Sequence, residues 1–180
     1  MGEIVELPEV GGLHHRYERD QDVARKGPGF ASQPPAVEYS RTGKLRMRKT
    51  ITVRTIAAEG LYDITAAVRE FAEHTGLAEG LVNVYVRGAT AAVMIQENWD
   101  DSVQRDVIAL LQKLIPKGVW EHDRQDGNGD AHLKSGLVGP SATVPIAEGK
   151  LLLSTWQNIF LCEFDGPREE REIVLTALGA

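Results

Sequence analysis

Cysteine is nearly missing from this 180-residue chain: Cys162 stands alone. A single thiol closes no intramolecular disulfide, and there is no CxxC. The pattern points to a reducing compartment, the cytoplasm. Long apolar runs are missing too. None approaches the ~20 residues that cross a bilayer, so no membrane partner is expected. The opening MGEIVELPEVGG lacks a basic stretch ahead of an apolar one and does not read as a signal peptide. Basic charge is scarce: the net charge is −6 and no basic stripe stands out, which disfavours a nucleic-acid partner. The P-loop, GxGxxG and GxSxG signatures are absent, as are internal repeats.

What is present reads as a globular domain with an extension. Hydrophobic residues make up 42% and charged residues 26%, and the length can bury a core without disulfides. Residues 1–45 are polar, with Gly and Pro clustered at 27–29 and 34–35, and hold no lasting period. They read as an irregular or disordered extension in which His14 and His15 are solvated. Residues 46–180 form the body.

Periodicity gives its elements. RMRKTITVRTI alternates as a half-buried strand. In YDITAAVREFAEHTG, Ile64, Ala67, Val68 and Phe71 fall at helical spacing, with Asp63 as cap and Gly76 as stop. LVNVYVRG and TAAVMIQE are strands joined through Gly88. DDSVQRDVIALLQKLIPKG is a second amphipathic helix, with Val103, Val107, Leu110, Leu111 and Leu114 on one face and Asn98, Asp100 or Asp101 available as cap. Pro116 ends it. A polar loop follows, then four strands: GLVGPSATVPI, KLLLST, WQNIFLCEF and EREIVLTAL. Short turns between them imply antiparallel pairing. The expected fold is α+β, with two helices on one side of a mostly antiparallel sheet.

The polar loop EHDRQDGNGDAHLKSG carries the densest chemistry. Asp126, Asn128 and Asp130 spell the first half of an EF-hand loop. Ala131 stands where that motif needs Gly, and Leu137 where it needs Glu, so the EF-hand reading fails and a polar turn is the plainer one. His122 and His132 lie ten apart, and a loop that folds back would bring them together. Two imidazoles alone make an open metal site, with Asp123 able to orient a ring. Glu97 and Asn98 end a strand. In EFDGPRE, alternation puts Phe160, Cys162 and Phe164 on one face and Ile159, Leu161, Glu163 and Asp165 on the other. Asp165 and Arg168 form either a rim ion pair or an anion clamp. Cys162 reads as a small buried hydrophobe rather than a nucleophile.

Taken together, ATAAVMIQEN (89–98), the run from His122 to Glu169 and the closing EIVLTALG resemble the YjbQ family, often described as secondary thiamine-phosphate synthases. The resemblance covers roughly residues 46–179. It implies a homotrimer with a polar pocket near a subunit interface. Carried over by position, that pocket is lined by Glu97, Asn98, His122, Asp123, Asn128, His132, Lys134, Ser135, Thr155, Trp156, Gln157, Glu163, Asp165 and Arg168. The implied reaction joins a pyrimidine diphosphate to a thiazole phosphate. Lys134 and Arg168 would then hold phosphates, Ser135 and Thr155 would donate hydrogen bonds, and His132 or Glu97 would move protons. Trp156 would stack on a flat ring. A divalent metal, Mg²⁺ or Zn²⁺, would sit on His122 and His132. One departure stands out. The family reads Pro-His-Thr-Thr-Ala-Ala where this chain has Arg87-Gly88-Ala89-Thr90-Ala91-Ala92, so a histidine is replaced by glycine. The alternative is therefore a non-catalytic trimer that binds a metal or small ligand.

Overall fold

A computed structural model describes residues 31–32, 36–39 and 45–179. The rest of the extension, with His14 and His15, lies outside the described residues. Within it, Ala31–Ser32 (β1) and Ala36–Tyr39 (β2) are strands that pair with Leu45–Thr55 (β3).

The body continues with Gly60–Asp63 (β4), Thr65–Thr75 (α1), Gly80–Val86 (β5), Ala91–Glu97 (β6) and Asp101–Leu114 (α2). A 3-10 turn, Glu121–Arg124 (η1), and Gly129–Val138 (α3) come next. Ser141–Ala147 (β7), Lys150–Leu151 (β8), Gln157–Glu163 (β9) and Arg168–Gly179 (β10) complete the chain. Every pairing is antiparallel. The strands form two sheets rather than one: a seven-stranded sheet ordered β1-β3-β10-β5-β7-β8, with β2 also on β3, and a three-stranded sheet ordered β4-β9-β6. Strands β5 and β6 flank Gly88 but belong to different sheets, so the turn carries the chain across the core.

The fold is α+β as expected, with two corrections. Among the described residues there are three helices, not two, and they lie on two layers. Ile51, Val53, Val84, Ile173 and Leu175 of the large sheet pack against Ile159 and Leu161 of the small sheet and against Val68 and Phe71 of α1. On the far side of the small sheet, Ala92, Cys162 and Phe164 meet Leu111 of α2 and Ala131 of α3. Strand β9 is thus buried on both faces, and its alternation sorts residues into two cores.

The third helix escaped the periodicity reading for a physical reason. It buries Gly129, Asp130, Ala131, Lys134 and Ser135, while Leu133 and Leu137 stay exposed. Its polar residues face inward, the reverse of an amphipathic pattern. Consequently Gly136–Val138, read as the start of a strand, end α3, and only Lys150–Leu151 of KLLLST pairs. On α2, Leu111 is buried but Leu110 and Leu114 are exposed.

Caps follow the sequence closely. Asp100 accepts from the Ser102 amide at 2.6 Å and starts α2. Asp63 sits one residue before the cap position of α1, yet accepts from both the amide (2.9 Å) and the hydroxyl (2.6 Å) of Thr65. Gly76 ends α1 with φ 65°, a conformation that favours glycine.

Candidate functional site

The polar loop does fold back. Asp123 clamps it: one carboxylate oxygen accepts from the Trp120 amide and the other from the Gly129 amide, both at 2.8 Å. A Cβ on Gly129 would lie 3.0 Å from Asp123 Oδ1 and 3.0 Å from Trp120 Cβ, so any larger residue would press on the clamp. The bond from Trp120 N–H, outweighing partial burial with help from Gly129, holds the Asp123 carboxyl below its ordinary pKa.

The clamp brings His122 on η1 and His132 on α3 into an edge-to-face ring contact, with centroids 4.9 Å apart. The pair lines a cavity of about 430 Å³ with Trp120, Glu121, Gly129 and Leu133. Asp126 Oδ2 stands 3.7 Å from His122 Nε2, beyond hydrogen-bond length. Among the described residues no three His, Cys, Asp or Glu side chains group as metal ligands. Imidazoles suit zinc, whereas magnesium prefers oxygen donors. The donor set therefore fits two corners of a Zn²⁺ site and does not fit Mg²⁺.

On the other side of the η1–α3 corner lies a cleft of about 610 Å³, lined by Glu59, Ile108, Gln112, Lys117, Asn128, Asp130, Lys134, Phe164 and Asp165, among others. Lys134 is only 1% exposed. It donates to Glu59 at 2.6 Å and to Asp130 at 2.7 Å. Burial alone would lower its pKa, but the two carboxylates outweigh that and raise it. Lys134 thus stays charged and is already paired. Arg168 likewise donates to Asp165 at 2.6 Å, and Asn128 donates to the same oxygen at 3.2 Å. Both cations assigned to phosphates by the resemblance are engaged within the chain. Ser135 donates to the Ala91 carbonyl at 2.7 Å and fastens α3 to β6.

Glu163 is buried and saturated. It accepts from Thr55 Oγ1 (3.1 Å), the Phe164 amide (3.1 Å), the Asp165 amide (2.9 Å) and two nitrogens of Arg171. Arg171 was not among the expected site residues. Alternation would have found it: it is in phase with Ile173 and Leu175, so it points into the core. Glu163 is in phase with Ile159 and Leu161, which makes this ion pair a strut between the two sheets. Cys162 is fully buried, and burial pushes its thiol up to about 12, so it is no nucleophile.

Glu97 lies elsewhere. In the β6–β9 register, Ala91 faces Glu163 and Glu97 faces Gln157. Six residues of strand span roughly 20 Å. His132 sits one helical turn from Ser135, near Ala91, so a single chain does not join Glu97 to His132. Around Glu97 a second polar edge forms. Asp63 Oδ2 accepts from Asn98 (2.9 Å) and Asn158 (2.7 Å), and the Asn98 amide donates to the Trp156 carbonyl. Asn158 also escaped the sequence reading, although its place beside Gln157 at a strand start was the available cue. Trp156 meets Trp99 edge-on at 4.8 Å. Gln157 accepts from the Ser154 amide at 3.0 Å, and Thr155 is exposed.

Comparison with known proteins settles the family. A model described as UPF0047 protein YjbQ-like matches residues 49–180. The chain belongs to the YjbQ-like UPF0047 family. A UPF0047 protein of Methanocaldococcus jannaschii is 42% identical over 135 residues, 75% of this chain and 96% of that one. UPF0047 protein YugU of Bacillus subtilis is 39% identical, over 68% of this chain and 92% of its own. A crystal structure of a YbjQ-like protein from Sulfolobus solfataricus, itself described as of unknown function, superposes with a TM-score of 0.73 at 35% identity. It covers 75% of this chain and 98% of that one. No name among these YjbQ-like relatives assigns a catalytic activity. Among the described residues, no helix is long and apolar enough to cross a membrane.

Proposed function

We propose that this YjbQ-like chain acts as a homotrimer that binds a divalent metal ion, Zn²⁺ rather than Mg²⁺, through His122 and His132. A small phosphorylated molecule binds beside the metal. The observation that carries the reading is the imidazole pair, 4.9 Å between centroids, held by the Asp123 clamp. Lys134 and Arg168 are neutralised inside the chain. The positive charge that attracts a phosphate would then come from the metal, which also polarises phosphoryl oxygens when bound. Calorimetry with Zn²⁺ and Mg²⁺ tests this. Native protein is expected to take up Zn²⁺ and not Mg²⁺, and His132→Ala and His122→Ala each to lose it. Equal uptake by all three would overturn the reading.

The second reading is a thiamine-phosphate-synthase-like transferase whose site is completed across subunits. What favours it is the separation of Glu97, Asn98, Trp156 and Gln157 from His122 and His132 along β6 and β9. An interface would reunite the two groups. Its signature is thiamine phosphate formation that disappears in Glu97→Gln and in His132→Ala but returns when the two variants are mixed into one trimer. Negligible turnover by native protein leaves the binding reading in place.

A further inference from the structure

The cleft between α2 and the start of α3 has a wall that suits a donor rather than an anion. Asn128 lines it, and Asp165 fixes the sense of its amide: Nδ2 donates to Asp165 Oδ2 at 3.2 Å. The reverse sense would set two acceptors against each other. The amide oxygen is left over. Asn128 Oδ1 is the one buried side-chain nitrogen or oxygen among the described residues without a hydrogen-bond partner. Asn128 stands at the cap position of α3, yet its side chain accepts from no helix amide. Its carbonyl takes the Ala131 and His132 amides instead. A buried acceptor left unpaired is costly, so a donor belongs beside it.

The charges around it point the same way. Glu59, Asp130 and Asp165 bring three carboxylates to the cleft. Glu59 and Asp130 share a single ammonium, that of Lys134, and Asp165 is held by Arg168. One negative charge is thus left over in the wall. Lys117, the other cation of the lining, is exposed, where water and salt screen it. Much of the remaining lining is apolar: Ala58, Ile108, Pro116 and Phe164. A volume of about 610 Å³ is ample for a small molecule.

We propose that this cleft binds the ammonium group of a small amine with an apolar body. One N–H goes to Asn128 Oδ1. Asn128 as a whole is half-buried, so a modest turn of its side chain presents that oxygen to the ligand. The positive charge offsets the surplus carboxylate, and the apolar body lies against Ile108 and Phe164. The same wall repels phosphate. The site uses neither His122 nor His132, so it stands or falls apart from the metal reading.

The test follows the ¹⁵N side-chain amide signal of Asn128 in the full chain, titrated with n-butylammonium at constant ionic strength. Tetramethylammonium, a cation without N–H, and butyrate, an apolar chain without a cation, are the controls. A saturable shift is expected with n-butylammonium alone. Ile108→Trp fills the cleft from α2, outside the polar network, and is expected to abolish it. Asp165→Asn removes one carboxylate and is expected to weaken binding about tenfold. His132→Ala is expected to bind the amine as the native protein does. No saturable shift in the native protein, or an equal one with tetramethylammonium, overturns the site. So does native-like binding in both Ile108→Trp and Asp165→Asn, or loss of binding in His132→Ala.

Discussion

The two ends of the small sheet treat polar residues in opposite ways. At the Glu163 end, charges are buried and matched: Glu163 with Arg171, and Lys134 with Glu59 and Asp130. At the Glu97 end, Thr155, Trp156 and Gln157 are exposed. Similar residue types in one stretch of sequence thus do different work. Buried, saturated groups hold layers together, and exposed ones are free to meet a partner. Several residues expected as ligand contacts, Lys134, Ser135 and Glu163, also act as struts.

That contrast can be broken by substitution. Glu163→Ala leaves the Arg171 guanidinium buried without its carboxylate and is expected to cost about 3–5 kcal/mol in urea unfolding. A loss under 1 kcal/mol would mean that the strut carries little. Ser135→Ala removes the bond to the Ala91 carbonyl and is expected to cost about 1–2 kcal/mol, read the same way. Trp156→Ala, at the exposed end, gives up mainly its edge contact with Trp99 and is expected to cost about 1 kcal/mol or less. A cost matching that of Glu163→Ala would erase the distinction.

The clamp sharpens the comparison by pH. The Asp123 carboxyl is held below its ordinary value in the fold, so its contribution is present above the unfolded pKa. It is lost as pH falls through the lower, folded one. The Trp120 amide signal is therefore expected to titrate in acid with a midpoint below the ordinary Asp value of about 3.9. A midpoint at or above that value would contradict the clamp.

Much of this was legible in the sequence, and the exceptions are instructive. Strands with clean alternation were readable, including the two faces of β9, though not that each face meets its own core. The approach of His122 to His132 could be anticipated as a folded-back loop, but not the helix that delivers it. Helix α3 hides Asp130, Lys134 and Ser135 and displays leucines, so hydrophobic periodicity had no purchase on it. Arg171 was missed because charged residues near a strand end read as surface. Its phase with Ile173 was the cue. Whether Lys134 and Arg168 were free or paired could not be read locally, since Glu59 lies 75 positions from Lys134.

The most direct test sets two residues of α3 side by side. Lys134 and His132 are two positions apart, and both looked like site residues. In urea unfolding of metal-free protein, Lys134→Ala is expected to lose about 3–5 kcal/mol, because Glu59 and Asp130 are left without their cation. His132→Ala is expected to stay within about 1 kcal/mol of native. A stable Lys134→Ala beside an unfolded His132→Ala would contradict the division between struts and binding groups.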